Sequence, residues 1–405
     1  MIKLQFLILL MILLVLTACN IQDYIIGEAS QGKNDEVVQV DVEPIVPEPK
    51  EPEYYSASIS AIGDILIHNS VYEDAQIAND QYDFTKMFRD VKPYLENTDL
   101  TIANSESIIG GQELGLSSYP LFNSPYEIGD ALKEVGVDVV NMANNHSLDG
   151  GEQAIINATN YWNDLGITYI GASPSQEASR EIKTLTANNI IFSFLGYTYG
   201  TNGLQTPVGK EYLVNYIDQE KMAHDIQVAK EISDVVILNL HIGNEYEQHF
   251  NDYQNQVAQF AADQGVDLVI AHHPHVLQPV KWYEGREGNK TFVVHSLGNF
   301  LSAQDMLYTK IGAIFQIRVN KAVSYDIEGN ETVTINLTNP KLLPTFVKFR
   351  NWSNYEIIPL QKATNKDLAN ANTVYEKIKS HMSQYVPELQ FIEEQFQENV
   401  PTSAY

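Results

Sequence analysis

The chain has 405 residues, 52 of them acidic and 25 basic, so its formal net charge at neutral pH is −27. This balance excludes nucleic acid as a partner, because phosphate backbones bind basic surfaces. The single cysteine excludes an internal disulfide. An anionic substrate would need a local positive centre, and bound metal ions would supply one.

Residues 1–18 are predicted to be a signal peptide. A short basic start precedes an apolar run from Leu4 to Leu16, which is too short to span a bilayer comfortably. Small residues then stand directly before Cys19, an arrangement that resembles the lipobox of bacterial lipoproteins, in which the signal is removed and the cysteine is lipidated. The alternative is an ordinary signal anchor with an incidental cysteine. Either interpretation places the rest of the chain outside the cytoplasm, at the cell membrane.

Residues 19–55 comprise Cys19 and a tether rich in Pro, Glu and Val. Its alternating prolines block helix and sheet hydrogen bonding and favour an extended chain. We interpret it as a spacer, although a partner-binding segment is an alternative. A globular domain is predicted over 56–302, strands that complete it over 303–362, and a helix with an acidic tail over 363–405.

Apolar segments of strand length alternate with helix-like segments in the first part of the globular region. The strands begin near residues 58, 99, 137, 234, 267 and 291, and the helices span 84–97, 126–135, 151–165, 217–232 and 252–264. This order predicts an α/β protein with a largely parallel sheet. After Phe300, strands at 311–320, 332–336 and 341–350 are expected to form a second sheet against the first, followed by a helix over 366–384.

Each of the six strands ends in a His, Asp, Glu or Asn side chain. Open α/β sheets carry their chemistry at the carboxyl ends of their strands, so these side chains are predicted to form one site. Seven of the ten histidines lie in or just after these ends: His68, His146, His241, His272, His273, His275 and His295. Three imidazoles within four positions suit a divalent transition metal if they are neutral. A solvated His-rich turn is the alternative for that segment.

The strand ends carry six motifs: Ile62-Gly63-Asp64 with His68, Asn104-Ser105-Glu106, Met142-Ala143-Asn144-Asn145-His146-Ser147-Leu148-Asp149, His241-Ile242-Gly243-Asn244-Glu245, Ala271-His272-His273-Pro274-His275-Val276 and Ser296-Leu297-Gly298-Asn299-Phe300. These motifs resemble the CapA family of capsule-biosynthesis proteins. That family is associated with bacterial poly-γ-glutamate capsule synthesis or anchoring and is similar to calcineurin-like metallophosphoesterases. The resemblance implies a metallophosphatase-like four-layer sandwich of two mixed β-sheets flanked by helices.

The resemblance also implies a site with two divalent metal ions, for which Mn, Zn or Fe are expected. The implied metal ligands are Asp64, His68, Glu106, Asn145, His241, His273 and His275, with Glu106 bridging the two ions. His146 would face the substrate as an acid or charge stabiliser beside Asn145 and Glu106. Such carboxylate, amide and imidazole ligands suit these metals, and two metal ions can activate a water for hydrolysis.

Three further residues near the strand ends have more than one possible role. Glu245 lies four positions after His241 and is a ligand, a residue that orients a histidine, or a surface acid. His272 and His295 are interpreted as orienting or packing histidines rather than ligands, because a two-metal site cannot use every imidazole.

Three functions are compatible with these features. The first is a surface metal-dependent hydrolase or phosphoesterase. The second is a non-catalytic subunit that helps membrane synthase subunits to assemble, export or tether poly-γ-glutamate or another anionic polymer. The third is a surface protein that binds an anionic ligand. The intact ligand set favours the first function over a vestigial site, because a decayed site would have lost some of these residues. We favour a capsule-polymer role that acts through the metal-binding site.

Overall fold

A computed structural model describes residues 50–393 of the chain. The predicted signal peptide, Cys19 and most of the tether lie outside the described residues. The first strand begins at Glu53, so the last residues assigned to the tether already belong to a sheet. None of the helices in the 50–393 region is long and apolar enough to cross a membrane.

The strands are numbered in chain order. They are β1 Glu53–Leu66, β2 Gln76–Ala78, β3 Gln81–Tyr82, β4 Leu100–Asn104, β5 Val139–Asn141, β6 Thr168–Ile170, β7 Lys183–Ala187, β8 Ile190–Thr198, β9 Val235–His241, β10 Leu268–His272, β11 Leu277–Glu284, β12 Lys290–Leu297, β13 Asn299–Ser302, β14 Ile311–Tyr325, β15 Glu331–Arg350, β16 Ser353–Pro359 and β17 Gln390–Phe391. The helices are α1 Asn69–Ala75, α2 Thr85–Phe88, α3 Lys92–Leu95, α4 Glu127–Glu134, α5 Gly151–Leu165, α6 Gln219–Ile232, α7 Asp252–Asp263 and α8 Ala371–Met382.

Two mixed sheets form the centre of the described region. The first has the order β16-β15-β14-β1-β4-β5-β6, with β13 also paired to β1 and β17 to β15. The second has the order β11-β12-β10-β9-β8-β7. Strands β1, β4, β5 and β6 run parallel in the first sheet, as do β8, β9, β10 and β12 in the second.

Three apolar clusters define the layers. Side chains of both sheets, such as Ile59 and Ile270, form the inner cluster. The outer face of the first sheet packs against α1–α5, where Trp162 is buried, and the outer face of the second packs against α6 and α7, where Ile226 is buried. The predicted fold class, an α/β sandwich of two mixed sheets flanked by helices, is confirmed.

The C-terminal strands occupy a different place from the one that we expected. They do not form a second sheet but extend the first, because β14 pairs antiparallel with β1 from Glu53↔Val323 to Ile62↔Ile314. The second sheet comes instead from the middle of the chain, from β7 to β12. Apolar strands look alike in sequence whichever sheet they join, so the pattern does not distinguish these pairings.

Most of the predicted helices lie close to their expected bounds. The one predicted over 84–97 is instead two single-turn helices, α2 and α3, and Pro93 lies in the first turn of the second. Proline is tolerated in a first turn and not in a helix interior, so the chain starts a new helix there. Helix α5 has the predicted bounds and ends at Gly166, whose φ of 65° is left-handed.

Candidate metal centre

The two sheets deliver polar side chains to one place, at the carboxyl ends of their parallel strands. Asp64 lies within β1, and Glu106 follows β4 by two residues. In the second sheet, His241 ends β9 and His272 ends β10, and these two residues are register partners. All four side chains are fully buried. The predicted meeting of strand ends therefore holds for these residues, but across two sheets.

Three polar side chains surround Asp64. Asn104 Nδ2 donates to its Oδ1 at 2.9 Å. The Nδ1 atoms of His272 and His275 lie 3.3 Å from Oδ1 and 3.3 Å from Oδ2 respectively. Burial raises the pKa of Asp64, but the two nearby imidazoles outweigh burial and hold it well below its usual range. Asp64 is therefore a carboxylate at neutral pH.

Glu106 has no hydrogen-bond donor on either carboxyl oxygen. His241 Nε2 lies 3.4 Å from Oε1, and His275 Nδ1 lies 3.7 Å from Oε2. Burial, followed by the negative charge of Asp64, raises the pKa of Glu106 to about 8. A buried carboxyl group without donors is costly unless a cation approaches it.

The histidines differ in electrostatic environment. Burial lowers the pKa of His273 to about 2, and that of His241 well below its usual value. For His275 burial also lowers the pKa, but the charges of Glu106 and Asp64 outweigh it and raise the pKa to about 9. Neutral imidazoles are the form that binds metals, so His241 and His273 are already in the ligand state.

These residues fit a divalent metal ion. Glu106, His273 and His275 each offer a ligand atom, and the three atoms lie within 4.8 Å of one another. Six buried atoms of the centre have no hydrogen-bond partner: Asp64 Oδ2, Glu106 Oε1 and Oε2, His272 Nδ1 and Nε2, and His273 Nδ1. Carboxylate oxygens and imidazole nitrogens with no other partner suit Mn, Zn or Fe.

The segment after β10 has an unusual backbone. His273 and His275 have φ values of 102° and 59°, in the region that L-residues rarely adopt. Tyr246 N donates to Pro274 O at 2.8 Å, and Asn299 Oδ1 lies 3.0 Å from His275 Nδ1. Residues held in such conformations cluster at functional sites, where the surrounding structure maintains them.

Two predicted residues reach the centre from the segment after β5. Asn145 Oδ1 lies 2.8 Å from His241 Nε2. His146 Nδ1 lies 2.6 Å from Asp149 Oδ2, and the ring packs edge-on against Phe122 at 4.7 Å between centroids. Phe122 N also donates to Asp149 Oδ2 at 2.6 Å. Asp149 therefore fixes the orientation of the His146 ring.

His68 is held outside the cluster of Glu106, His273 and His275. Its Nδ1 lies 3.1 Å from Leu66 O, and its ring packs edge-on against Phe122 at 5.1 Å between centroids. Burial lowers its pKa to about 4, so it is neutral at pH 7. Together with His146 it lines a cavity of about 380 Å³ that leads to His275. Its role as a metal ligand stays a prediction.

Asp149 and Asn299 contact residues of the centre and had no predicted role, although both belong to the strand-end motifs. The spacing of Asp149, three residues after His146, is a signal that could have identified it. His272 Nδ1 lies 3.3 Å from Asp64 Oδ1, and its role as an orienting or packing residue stays a prediction. The contacts of His295 are with other residues. Its Nδ1 lies 2.9 Å from Pro279 O, and its ring stacks on Phe250 with 3.8 Å between the ring centroids.

A family model described as bacterial capsule synthesis protein PGA_cap matches residues 58–304. The chain belongs to this family. It is 29% identical over 268 residues to the PGA biosynthesis protein CapA of Bacillus subtilis (strain 168), covering 65% of this chain and 68% of that protein. It is 27% identical over 295 residues to the capsule biosynthesis protein CapA of Bacillus anthracis, covering 69% and 68% respectively.

A solved structure is also similar to the chain. It is a candidate 5′-nucleotidase from Staphylococcus aureus in complex with alpha-ketoglutarate, with 11% identity and a TM-score of 0.38. The match covers 79% of this chain and 58% of that protein. The family resemblance predicted from the strand-end motifs is confirmed, and with it the connection of this chain to capsule synthesis.

Proposed function

We propose that the chain is an extracytoplasmic lipoprotein, anchored through Cys19, that takes part in synthesis, export or anchoring of poly-γ-glutamate. It would act through a metal-dependent, phosphoesterase-like site. The observation that carries this proposal is the buried cluster of carboxyl and imidazole groups, several of whose atoms have no hydrogen-bond partner. Family membership supports the capsule role. Membrane synthase subunits would be its partners.

The residues of the centre divide into two groups by position. Glu106, His273 and His275 would hold one ion, and Asp64, beside His275, and the His241–Asn145 pair would supply ligands to a second. Such ions would supply an activated water and would stabilise negative charge on the attacking and leaving oxygens. Burial around these residues excludes bulk water, which strengthens each electrostatic contact.

His146 is the proton donor in this proposal. It lines the cavity that leads to the centre, so its free Nε2 can reach a bound substrate. With Nδ1 paired to Asp149 Oδ2, the ring presents Nε2 in a fixed direction and can protonate a leaving oxygen. Asn145 orients His241 and contributes an amide oxygen beside it.

Metal analysis of the purified chain tests the centre. We expect near-stoichiometric Mn, Zn or Fe by mass spectrometry in the wild type, and loss of it in a His241→Ala, His275→Ala double variant. His224→Ala, an exposed histidine on α6, is the matched control and should retain the metal. A folded wild-type chain that stays empty after soaking with these metals would contradict the proposal.

Capsule formation tests the biological role separately. In a strain lacking this gene, the wild-type chain should restore surface poly-γ-glutamate, and Glu106→Gln should not. Restoration by a Glu106→Gln chain shown to contain no metal would favour a non-catalytic binding subunit. Turnover of a phosphodiester without any effect on capsule would favour an extracellular phosphoesterase with another substrate.

A further inference from the structure

The entrance to the metal centre has an unusual composition for a site expected to bind an anion. The cavity that leads to His275 has a volume of about 380 Å³, and its lining includes His68, Tyr119, His146, Glu245 and Tyr246. Among the described residues that line it there is no lysine or arginine, and Glu245 is acidic. A ligand with several negative charges would therefore meet repulsion at this entrance.

Two tyrosines and Glu245 form the outer part of this cavity, which we call the site mouth: Tyr119, Glu245 and Tyr246. Tyr119 is 79% exposed and Tyr246 is 46% exposed. The pKa of Tyr246 is raised to about 12, first by burial and then by the negative charge of Glu245. Glu245 and Tyr246 are consecutive in the chain, and both line this cavity together with Tyr119.

Tyr246 is held next to the candidate metal centre. It has a left-handed φ of 67°, and its backbone N–H donates to Pro274 O at 2.8 Å, in the segment that carries His273 and His275. Its ring centroid lies 6.0 Å from that of His275. A ligand bound in this cavity can therefore contact the site mouth and His275 at the same time.

Aromatic faces beside a carboxylate attract cations. The negative face of a tyrosine ring and a nearby carboxylate together stabilise an ammonium group, as in aromatic cages that bind quaternary ammonium ligands. We propose that the site mouth binds an ammonium group of a ligand whose anionic end reaches the metal centre. The inference rests on the proposed function, which places the anionic end of the ligand at the metal centre. The binding of an ammonium group at the site mouth goes beyond that function.

The inference narrows the substrate class. Poly-γ-glutamate carries a carboxylate on every residue, so an internal stretch of the polymer is a poor match for the site mouth. Two sources would supply an ammonium group close to an anion: the amino end of a glutamyl chain, or a phosphate ester of an amino alcohol. Either ligand could place its ammonium group at the site mouth and its anionic group at the metal centre.

Paired probes test the preference for an ammonium group on the metal-loaded full chain. O-phosphoethanolamine is compared with propyl phosphate, which has the same length without the charge, and γ-glutamylglutamate is compared with its N-acetyl form. We expect the ammonium member of at least one pair to bind about three- to tenfold more tightly by calorimetry. The pair that shows the preference identifies the source. Equal or weaker binding of both ammonium members would overturn the inference.

Variants link the preference to the site mouth. Within a probe pair, the preference is the ratio of the affinity of the ammonium member to that of the member without an ammonium group. Glu245→Gln and Tyr246→Leu should each reduce this ratio towards one. Glu247→Gln is the matched control, because Glu247 is also exposed and loses the same charge but does not line the cavity. A Glu245→Gln chain with an unchanged ratio, or a Glu247→Gln chain with an equally reduced one, would show that the site mouth is not the cause.

A metal-free experiment separates the two proposals. Tetramethylammonium is offered to the full chain without metal, and its binding is followed by ligand-observed NMR. Binding that Tyr246→Leu abolishes would support the site mouth even if the metal analysis fails. No binding to the wild type, together with no preference in either pair, would reject the site mouth whatever the metal content.

Discussion

The free-energy cost of burying the Glu106 carboxyl group indicates that a cation binds beside it. Both of its carboxyl oxygens are buried without a donor, and the Asp64 carboxylate adds to the raised pKa. Leaving such a group unsatisfied costs about 1–3 kcal/mol or more. A bound divalent ion would offset this cost, so we expect Glu106 to stabilise the loaded protein and to destabilise the empty one.

Glu106→Gln should have opposite effects on metal content and on the stability of the empty chain. The variant is expected to lose most of its metal, because an amide is a weaker metal ligand than a carboxylate. Without metal it should melt at the same temperature as the wild type or higher, since a buried acidic group is removed. Mass spectrometry and thermal denaturation in chelator measure the two effects. Unchanged metal content would contradict this role.

Asp149→Asn should reduce turnover without reducing metal content. Asp149 contacts His146 and Phe122 N rather than the metal-binding cluster, so its effect should pass through the orientation of His146. We expect phosphodiester turnover to fall about 100-fold, the lower end of what a positioned acid contributes. A His146→Ala, Asp149→Asn double variant should be no slower than His146→Ala alone. Additive losses would show that the two residues act independently.

His295 should contribute to the acid sensitivity of the fold. Burial lowers its pKa to about 3, whereas an unfolded histidine has a pKa of about 6.5. Between these values the unfolded chain binds a proton that the folded chain does not, so stability falls as pH decreases below about 6.5. The loss is at most about 1.4 kcal/mol per pH unit for one histidine.

Urea denaturation of the metal-free chain at several pH values between 7 and 4 measures this effect. His295→Phe should show a shallower fall in stability with decreasing pH than the wild type. His224→Ala removes an exposed histidine and should leave the slope unchanged. Identical slopes for wild type and His295→Phe would show that His295 does not carry the proton linkage.

At the scale of elements, close contact between β1 and the turn after β12 positions Asp64. Asp64 N donates to Gly298 O at 2.9 Å, and the β1–β13 pairing shifts register between Asp64 and Ile65. A Cβ on Gly63 would lie 2.0 Å from Gly298 O and 2.8 Å from Leu297 O. Gly63 therefore permits the backbone approach that brings two distant segments of the chain to the site.

Gly63→Ala should consequently destabilise the protein by about 1–3 kcal/mol, the usual cost of overpacking a core. Metal affinity should fall as well, since Asp64 would move with its backbone. Gly200→Ala is the matched control, because a Cβ at Gly200 has no neighbour within 4 Å. Chemical denaturation and metal analysis of the two variants test this difference. Equal stabilities would show that the backbone relaxes at little cost.

At the scale of the whole molecule, the proposed lipid anchor at Cys19 can be tested directly. Cys19→Ser should abolish incorporation of labelled palmitate and release the chain from the membrane fraction, since one lost lipid anchor removes most of the binding energy. Thr17→Ser keeps a small residue before the cysteine and should have no effect. Persistent membrane association of Cys19→Ser would favour the signal-anchor alternative.

Periodicity and turn residues in the sequence were sufficient to predict most of the longer helices and six of the strands. Apolar runs of strand length and glycines that end helices are local signals, and α5 lies within its predicted bounds for this reason. Pairing is not local. The sequence carries no sign that β14 joins β1, or that β7 to β12 form a sheet of their own, because the free energy of pairing depends on contacts between separate segments of the chain.

The sequence alone determined which residue types stand at the strand ends, the family and the acidic net charge. Only the tertiary structure decided which of those residues meet. It brought His272 into contact with Asp64 and Asn299 into contact with His275, while it held His295 against Phe250. The reason is that a strand end specifies where a side chain begins, whereas strand pairing and the backbone conformation at His273 and His275 determine where its polar atoms lie.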